Sequence, residues 1–219
     1  MKINTDGVLL GAMARADAPQ QILDIGTGTG VIALMVAQRY PDARTDAVEI
    51  DTIAAETAAR NFQNSVFGRQ LQVHPKDIND FWKEYPDKKY DLIISNPPFY
   101  INSLESPEAK KNLAKHSDVV FFEGFTKEVS KHLSPAGLCW LVLPVNTAAE
   151  VKHLAEKEGL VAKENIFIKS FSSAEAHREI VCFGWGDRLT ESADFVIYDA
   201  PGVYTDTYKK LLKPYFLAF

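Results

Sequence analysis

Four consecutive residues, Asn96, Pro97, Pro98 and Phe99, offer oxygen acceptors and a flat apolar face with few donors. Each proline lacks an N–H, and the proline after Asn96 forces that residue into an extended backbone. An amino group attached to an aromatic ring presents two N–H donors, while its lone pair is delocalised into the ring. It is a poor nucleophile until both hydrogens are accepted and the nitrogen can pyramidalise. The Asn96 side-chain oxygen and a proline carbonyl, that of Pro97 by position, can accept them. Phe99 supplies a face on which a base can stack, an interaction worth about 1–3 kcal/mol. The bland alternative is a rigid Pro-Pro loop whose asparagine caps a turn.

A second group lies in DIGTGTG, Asp24 to Gly30, where small residues let a ligand approach the backbone at a tight turn. A dinucleotide fingerprint is GxGxxG, but here the glycines are Gly26, Gly28 and Gly30, and the position wanting the third glycine is Val31, which argues against nicotinamide binding. Glu49, closing the run DAVE, is placed to accept both hydroxyl protons of a ribose, with Asp51 as its understudy. Asp77 in HPKDIND is either a contact for an adenine amino group or the N-cap of a helix.

Alternating strands and helices must position these groups. Gln21 to Ile25 is a short apolar strand, and VIALMVAQRY after the glycines is a helix ended by Pro41. RTDAVEI is a second strand, followed by a helix from Thr52 to Asn64 with Ala54, Ala55, Ala58 and Phe62 on one face. LQVHP, Tyr90 to Ser95 and Gly137 to Pro144 are further strands, and Asp118 to Leu133 is a helix. Strands apolar nearly throughout suit a parallel sheet covered on both faces. After a helix from Ala148 to Glu158, ENIFIKS and REIVCFGW read as an antiparallel pair finishing the sheet edge. The chain therefore reads as one α/β domain with the glycines, Glu49, Asp77 and Asn96 all at strand ends.

Composition narrows the function classes. The 219 residues are 46% hydrophobic and 24% charged with a net charge of −5, which excludes both a disordered acidic chain and a grossly basic nucleic-acid binder. A nucleic-acid partner would be met by a local basic patch. Cys139 and Cys182 lie far apart, without a CxxC, and read as two buried thiols in a reducing compartment. None of the five histidines sits at ligand spacing from a cysteine or carboxylate, so no metal site is expected. With no signal-peptide pattern and no run of 18 apolar residues, a cytoplasmic protein without membrane contact is expected.

DIGTGTG, VEID, DI and NPPF, in this order and spacing, resemble the class I S-adenosylmethionine-dependent methyltransferases of the amino-methylating branch. More narrowly, KINTDGVLLGA (Lys2 to Ala12), LIISNPPFYINSLESP and KKNLAKHSD resemble the bacterial tRNA1(Val) (adenine(37)-N6)-methyltransferases. The resemblance implies a Rossmann-like fold, a seven-stranded mostly parallel sheet with an antiparallel last strand and helices on both faces, in a single domain over residues 1–219. It implies S-adenosyl-L-methionine as cofactor, valine tRNA as partner, and methylation of the amino group of adenosine 37. Carried over by residue, Asp24, Gly26, Gly28 and Gly30 would hold the methionine part of the cofactor, Glu49 its ribose and Asp77 its adenine. Asn96, Pro97 and Phe99 would hold the target base, with Asn96 also beside the cofactor. In similar enzymes the segment before the first strand packs over the cofactor, so Asn4, Thr5 and Asp6 are candidate lid or cofactor contacts. Family members usually carry a short aromatic and basic stretch upstream of KxxTDG, and lower tRNA affinity is expected where that stretch is missing.

Lys110, Lys111, Lys115 and His116 are a basic cluster after the NPPF loop that either grips RNA phosphates or forms a solvated face, and Lys209, Lys210 and Lys213 are a weaker second cluster. Arg178 reads as a surface charge at a strand end, and Trp82, Trp140 and Trp185 as packing residues. Competing targets for the same amine chemistry are a ribosomal-RNA guanine and the glutamine amide of a release factor. Enzymes of the latter kind carry an extra N-terminal helical domain, whereas about 20 residues precede the first strand here. A non-catalytic RNA-binding module on the same fold is the alternative from another class; the intact DIGTGTG, Glu49 and NPPF speak against it.

Overall fold

The computed structural model describes residues 4–97, 108–187 and 191–217, with no side chains given for 108–118. Five parallel strands follow the apolar runs: β1 (Gln21–Ile25), β2 (Arg44–Glu49), β3 (Leu71–Pro75), β4 (Tyr90–Ser95) and β5 (Leu133–Leu143). Between them lie α2 (Val31–Arg39), α3 (Thr52–Gln63), α4 (Ile78–Glu84) and α5 (Glu108–His132), and α1 (Thr5–Met13) precedes β1. After β5 come α6 (Val145–Lys157), β6 (Val161–Lys169), β7 (Arg178–Gly184) and β8 (Glu191–Val196). A small hairpin, β9 (Tyr198–Ala200) and β10 (Val203–Tyr204), leads into α7 (Asp206–Leu212).

The main sheet runs β3-β2-β1-β4-β5-β7-β6-β8. β7 is antiparallel to both β5 and β6, and β8 adds parallel to β6. The expected α/β architecture is present, with one strand more than the seven expected, so the β6–β7 pair is not the edge. β8 escapes sequence reading because four of its six residues are exposed and polar or small, as suits an edge strand that must not recruit another chain. Helix α5 begins at Glu108 rather than near Asp118, because KKNLAKH shows no apolar period from which a start could be read.

Two large cores sandwich the sheet, divided by the alternation of side chains along each strand, and a smaller cluster of Ala33, Ala37, Ala47, Ala58, Phe62 and Leu71 joins α2 and α3 to β2 and β3. Leu92, Ile94, Trp140 and Val142 face α1, α2 and α7, while Ile93, Leu141 and Leu143 face α4, α5 and α6. Cys182 belongs to the first core and Cys139 to the second, and both are free thiols. Burial pushes both up, Cys182 to about 12, so neither is a ready nucleophile. Trp82 and Trp140 are buried and Trp185 is half-buried, as packing residues should be.

One buried polar cluster ties β2, β3 and the start of β4. The Asp46 carboxylate meets His74 Nε2 at 2.8 Å, Lys88 Nζ at 2.5 Å and Tyr90 Oη at 2.8 Å. Burial alone would raise its pKa, but these three partners outweigh burial and hold it below the ordinary value. The described residues contain no group of three side chains that could hold a metal ion and no helix long and apolar enough to cross a membrane.

Candidate active site at the carboxyl edge of the sheet

From β1 the chain winds outward to β2 and β3, whereas β4 and β5 extend the other way, so the winding reverses between β1 and β4. α2 leaves β1 into one core and α5 packs in the other, which opens a crevice at the carboxyl ends of these two strands. Ile25 and Ser95 are register partners there, and Ser95 Oγ donates to the Ile25 carbonyl at 2.8 Å. The glycine loop and Asn96-Pro97 thus emerge side by side.

The loop is shaped by its glycines and held by one carboxylate. Gly26, Gly28 and Gly30 have φ of 71°, 57° and 87°, the left-handed region that side-chain-bearing residues rarely adopt. Two of them are glycine for different further reasons. A Cβ on Gly26 would meet no atom within 4 Å, so its bare backbone faces open space. A Cβ on Gly30 would lie 2.4 Å from Phe62 Cε1, so this glycine lets α2 pack against α3. Glu49 is buried at the end of β2; its Oε2 accepts from Gly28 N at 2.8 Å and its Oε1 from Asp51 N at 2.9 Å. Each carboxylate oxygen has a second lone pair for a ligand hydroxyl. Asp51 itself is exposed and caps α3, its Oδ1 accepting from Ala54 N at 2.7 Å.

Asp24 lies beneath the loop with no exposure. Its Oδ2 accepts from Thr27 Oγ1 at 2.6 Å, while Oδ1 has no hydrogen-bond partner among the described residues. Burial pushes its pKa up to about 7, aided by the charge of Glu49 and opposed by the donors Thr27 and Ala33 N–H. A carboxylate poised in this way is suited to a positively charged ligand group.

Asp77 caps α4: its Oδ1 accepts from Asn79 N at 2.7 Å and from Asn79 Nδ2 at 2.9 Å. It stands two residues beyond β3 on the same sheet edge, so capping and ligand contact through Oδ2 are compatible.

At the other strand end Pro97 is buried and Asn96 half-buried. The start of α1 meets Asn96: Asn4 caps α1 by accepting from Gly7 N at 2.7 Å, and Asn96 Nδ2 donates to the same Asn4 Oδ1 at 3.4 Å. Thr5 is exposed at the start of that helix. Asp6 is paired with Arg178, Nε to Oδ2 at 2.8 Å, so this charge at the start of β7 also ties down the start of α1. The residues lie 172 positions apart, and no local pattern announces the pair. Phe99 lies outside the described residues, and Lys110, Lys111, Lys115 and His116 fall on α5 where only the backbone is described. Lys209 and Lys210 belong to α7 and Lys213 follows it, packed on the α1 side of the sheet.

Comparisons with known proteins agree with this geometry. The family described as "Methyltransferase small domain" matches residues 4–163. A protein of Pedobacter heparinus named tRNA1(Val) (adenine(37)-N6)-methyltransferase is 46% identical over 219 residues, covering 100% of this chain and 92% of the relative. One of the same name from Bacteroides fragilis is 36% identical over 217 residues, covering 99% and 91%. Among solved structures, one described as a predicted O-methyltransferase of Agrobacterium tumefaciens superposes with a TM-score of 0.73 at 21% identity, covering 95% of this chain and 96% of the other. TrmN from Thermus thermophilus gives 0.59 at 18% identity over 82% of this chain and 48% of that one. The two structures speak for the fold. The full-length sequence matches go further: this methyltransferase belongs to the family of the tRNA1(Val) (adenine(37)-N6)-methyltransferases.

Proposed function

We propose that the protein, working as one domain over residues 1–219 in the cytoplasm, methylates the N6 amino group of adenosine 37 in valine tRNA with S-adenosylmethionine as donor. The observation that carries the reading is the placement of Asn96-Pro97 beside the glycine loop across the β1–β4 switch, on a chain whose full-length relatives bear that name. Two features fit the cofactor. The unpartnered Asp24 Oδ1 suits its α-ammonium group, and the open space over Gly26 suits a ligand lying on bare backbone. Glu49 would accept from the ribose hydroxyls, Asp77 from the adenine amine, and Gly28, Gly30 and Thr5 would frame the site.

When bound, S-adenosylmethionine supplies an already activated methyl group, so the protein's share is orientation and hydrogen-bond preorganisation. Asn96 Oδ1 and the Pro97 carbonyl accept the two hydrogens of the target amine, which frees the nitrogen lone pair from the ring. Phe99 stacks on the base, and an unpaired anticodon-loop adenosine is cheaper to extrude than a duplex base. Lys110, Lys111, Lys115 and His116, the basic cluster that follows the NPPF loop in sequence, would grip RNA phosphates.

The test is methyl transfer from labelled S-adenosylmethionine to unmodified total tRNA, release factor and ribosomal RNA, followed by digestion to nucleosides or amino acids. The expected label is N6-methyladenosine in valine tRNA. Asn96→Ala is expected to lower kcat by about 100-fold or more, the scale of losing a group that stabilises the transition state. Its cofactor Kd should stay within about threefold of wild type. Label in glutamine or guanine, or full activity of Asn96→Ala, refutes the reading.

A further inference from the structure

An asparagine that serves as an acceptor has a problem that an aspartate would not. Its carboxamide has an oxygen on one side and an NH2 on the other, and rotation by half a turn exchanges them. In the wrong orientation Asn96 would point two N–H donors at the two N–H donors of the target amine. Pro97 fixes the backbone of Asn96 but leaves this last torsion free.

We propose that Asn4 is the positioning residue that sets the Asn96 amide, holding its nitrogen so that the oxygen faces the substrate. The proposal rests on the reading of Asn96 as acceptor for the target amine. Asn4 Oδ1 is committed as an acceptor by the Gly7 N–H at 2.7 Å, and the Asn96 amide nitrogen lies 3.4 Å from that same oxygen. An oxygen that already receives an N–H can face only the NH2 side of Asn96; a flipped amide would set oxygen against oxygen. The platform beneath Asn4 is fixed as well. Val8, Leu9 and Leu10 in the next turn of α1 are buried, and Asp6 is tied to Arg178 at the start of β7.

Gly7 belongs to the same arrangement. A Cβ there would lie 3.1 Å from Asn4 Oδ1 and 3.3 Å from Asn96 Nδ2, in the space where the two amides meet. The absence of a side chain at this position lets the helix start approach the strand end closely enough for the contact.

The test separates capping from positioning. Serine caps a helix as well as asparagine but is too short to reach Asn96 as well, while aspartate retains acceptors at both places. With unmodified valine tRNA transcript as acceptor, Asn4→Ser is expected to keep its Tm, its cofactor Kd and its KM for RNA. Its kcat should fall by about 3–10-fold, the fold-change of one lost neutral hydrogen bond. Asn4→Asp is expected to restore most of kcat. Wild-type kcat in Asn4→Ser, an equal loss in Asn4→Asp at unchanged Tm, or a changed cofactor Kd with unchanged kcat each overturns the proposal. Asn96→Ala, run in parallel, tells the two failures apart. If it is inactive while Asn4→Ser is fully active, only the positioning role falls. If it is active, or wild type methylates no tRNA, the functional reading falls and this proposal with it.

Discussion

Replacing Asp24 with asparagine removes a charge that the fold holds at a cost, and burial sets the size of that cost. The carboxyl has no exposure, and its pKa rises from 3.8 to about 7. Between those two values the folded chain keeps a proton that the unfolded chain has released. Stability therefore falls as pH rises through the window, by about 1.4 kcal/mol per unit. From pH 5 to pH 8 the wild type loses about 3 kcal/mol from this group, since the window closes near 7. Asp24→Asn does not titrate and escapes that loss. Its amide does bury an additional N–H, which costs about 1–3 kcal/mol, but equally at every pH. The readout is thus the change in the gap between the two proteins, not the gap itself. For a chain of 219 residues the variant should gain about 6–12 °C in Tm relative to wild type between pH 5 and pH 8. Circular-dichroism melts without cofactor at four pH values measure it. A gap that stays constant over that range refutes the reasoning. The same substitution should raise the Kd for S-adenosylmethionine about 10–100-fold, because a charge-assisted contact to a cation is lost.

The two outer glycines of the loop should fail in different ways. Gly30→Ala drives a Cβ into Phe62 at positive φ and should cost about 2–5 kcal/mol in chemical denaturation. Gly26→Ala should cost only about 1–2 kcal/mol but weaken cofactor binding measured by calorimetry, since its Cβ projects into open space. Asp46→Asn weakens the contacts to His74 and Lys88 and should destabilise by about 3 kcal/mol while leaving kcat unchanged below the melt. The carboxylate's stabilisation is complete above its unfolded pKa of 3.8 and is lost as pH falls through its lower folded value, so the gap between wild type and variant should close in acid. Replacing Lys110 and Lys111 together with alanine should reduce the salt slope of tRNA binding by about 1.4, and an unchanged slope would remove both from the interface.

The strand ends that carry the site were readable because parallel strands buried on both faces are apolar throughout, and glycine or proline stops them abruptly. QILDI before DIGTGTG's glycines and YDLIIS before Asn96 show this pattern, and both strands lie where it places them. Helix α1 gave no such signal. Six of its nine residues are buried and two of those are glycines, so it has neither an amphipathic period nor a favourable propensity. Its existence depends on packing against α2, β5 and α7, which are distant in sequence. The pairing of Asp6 with Arg178 was hidden for the same reason. The glycine motif likewise suggests a single ligand cradle, yet Gly30 meets Phe62 of the following helix, a contact visible only once α2 and α3 are packed.

Glu49 shows how one side chain can join fold and site. A carboxylate buried at a strand end with no partners would neutralise itself or destabilise the fold. Here the Gly28 and Asp51 N–H groups occupy one lone pair on each oxygen, so the buried carboxylate is partnered while half of its accepting capacity remains. The Gly28 contact fixes the loop between β1 and α2, and the Asp51 contact fixes the turn into α3. Asp51 in turn caps α3, its Oδ1 accepting from Ala54 N at 2.7 Å. The residue that ends the strand faces the crevice, and the one two positions later starts the helix. Across the switch the roles are exchanged: Ser95, the last residue of β4, ties the strand end to β1, and Asn96 beyond it is the half-buried residue at the crevice. At each of these strand ends one residue makes the edge rigid, and a residue at or next to it keeps accepting atoms for binding and chemistry.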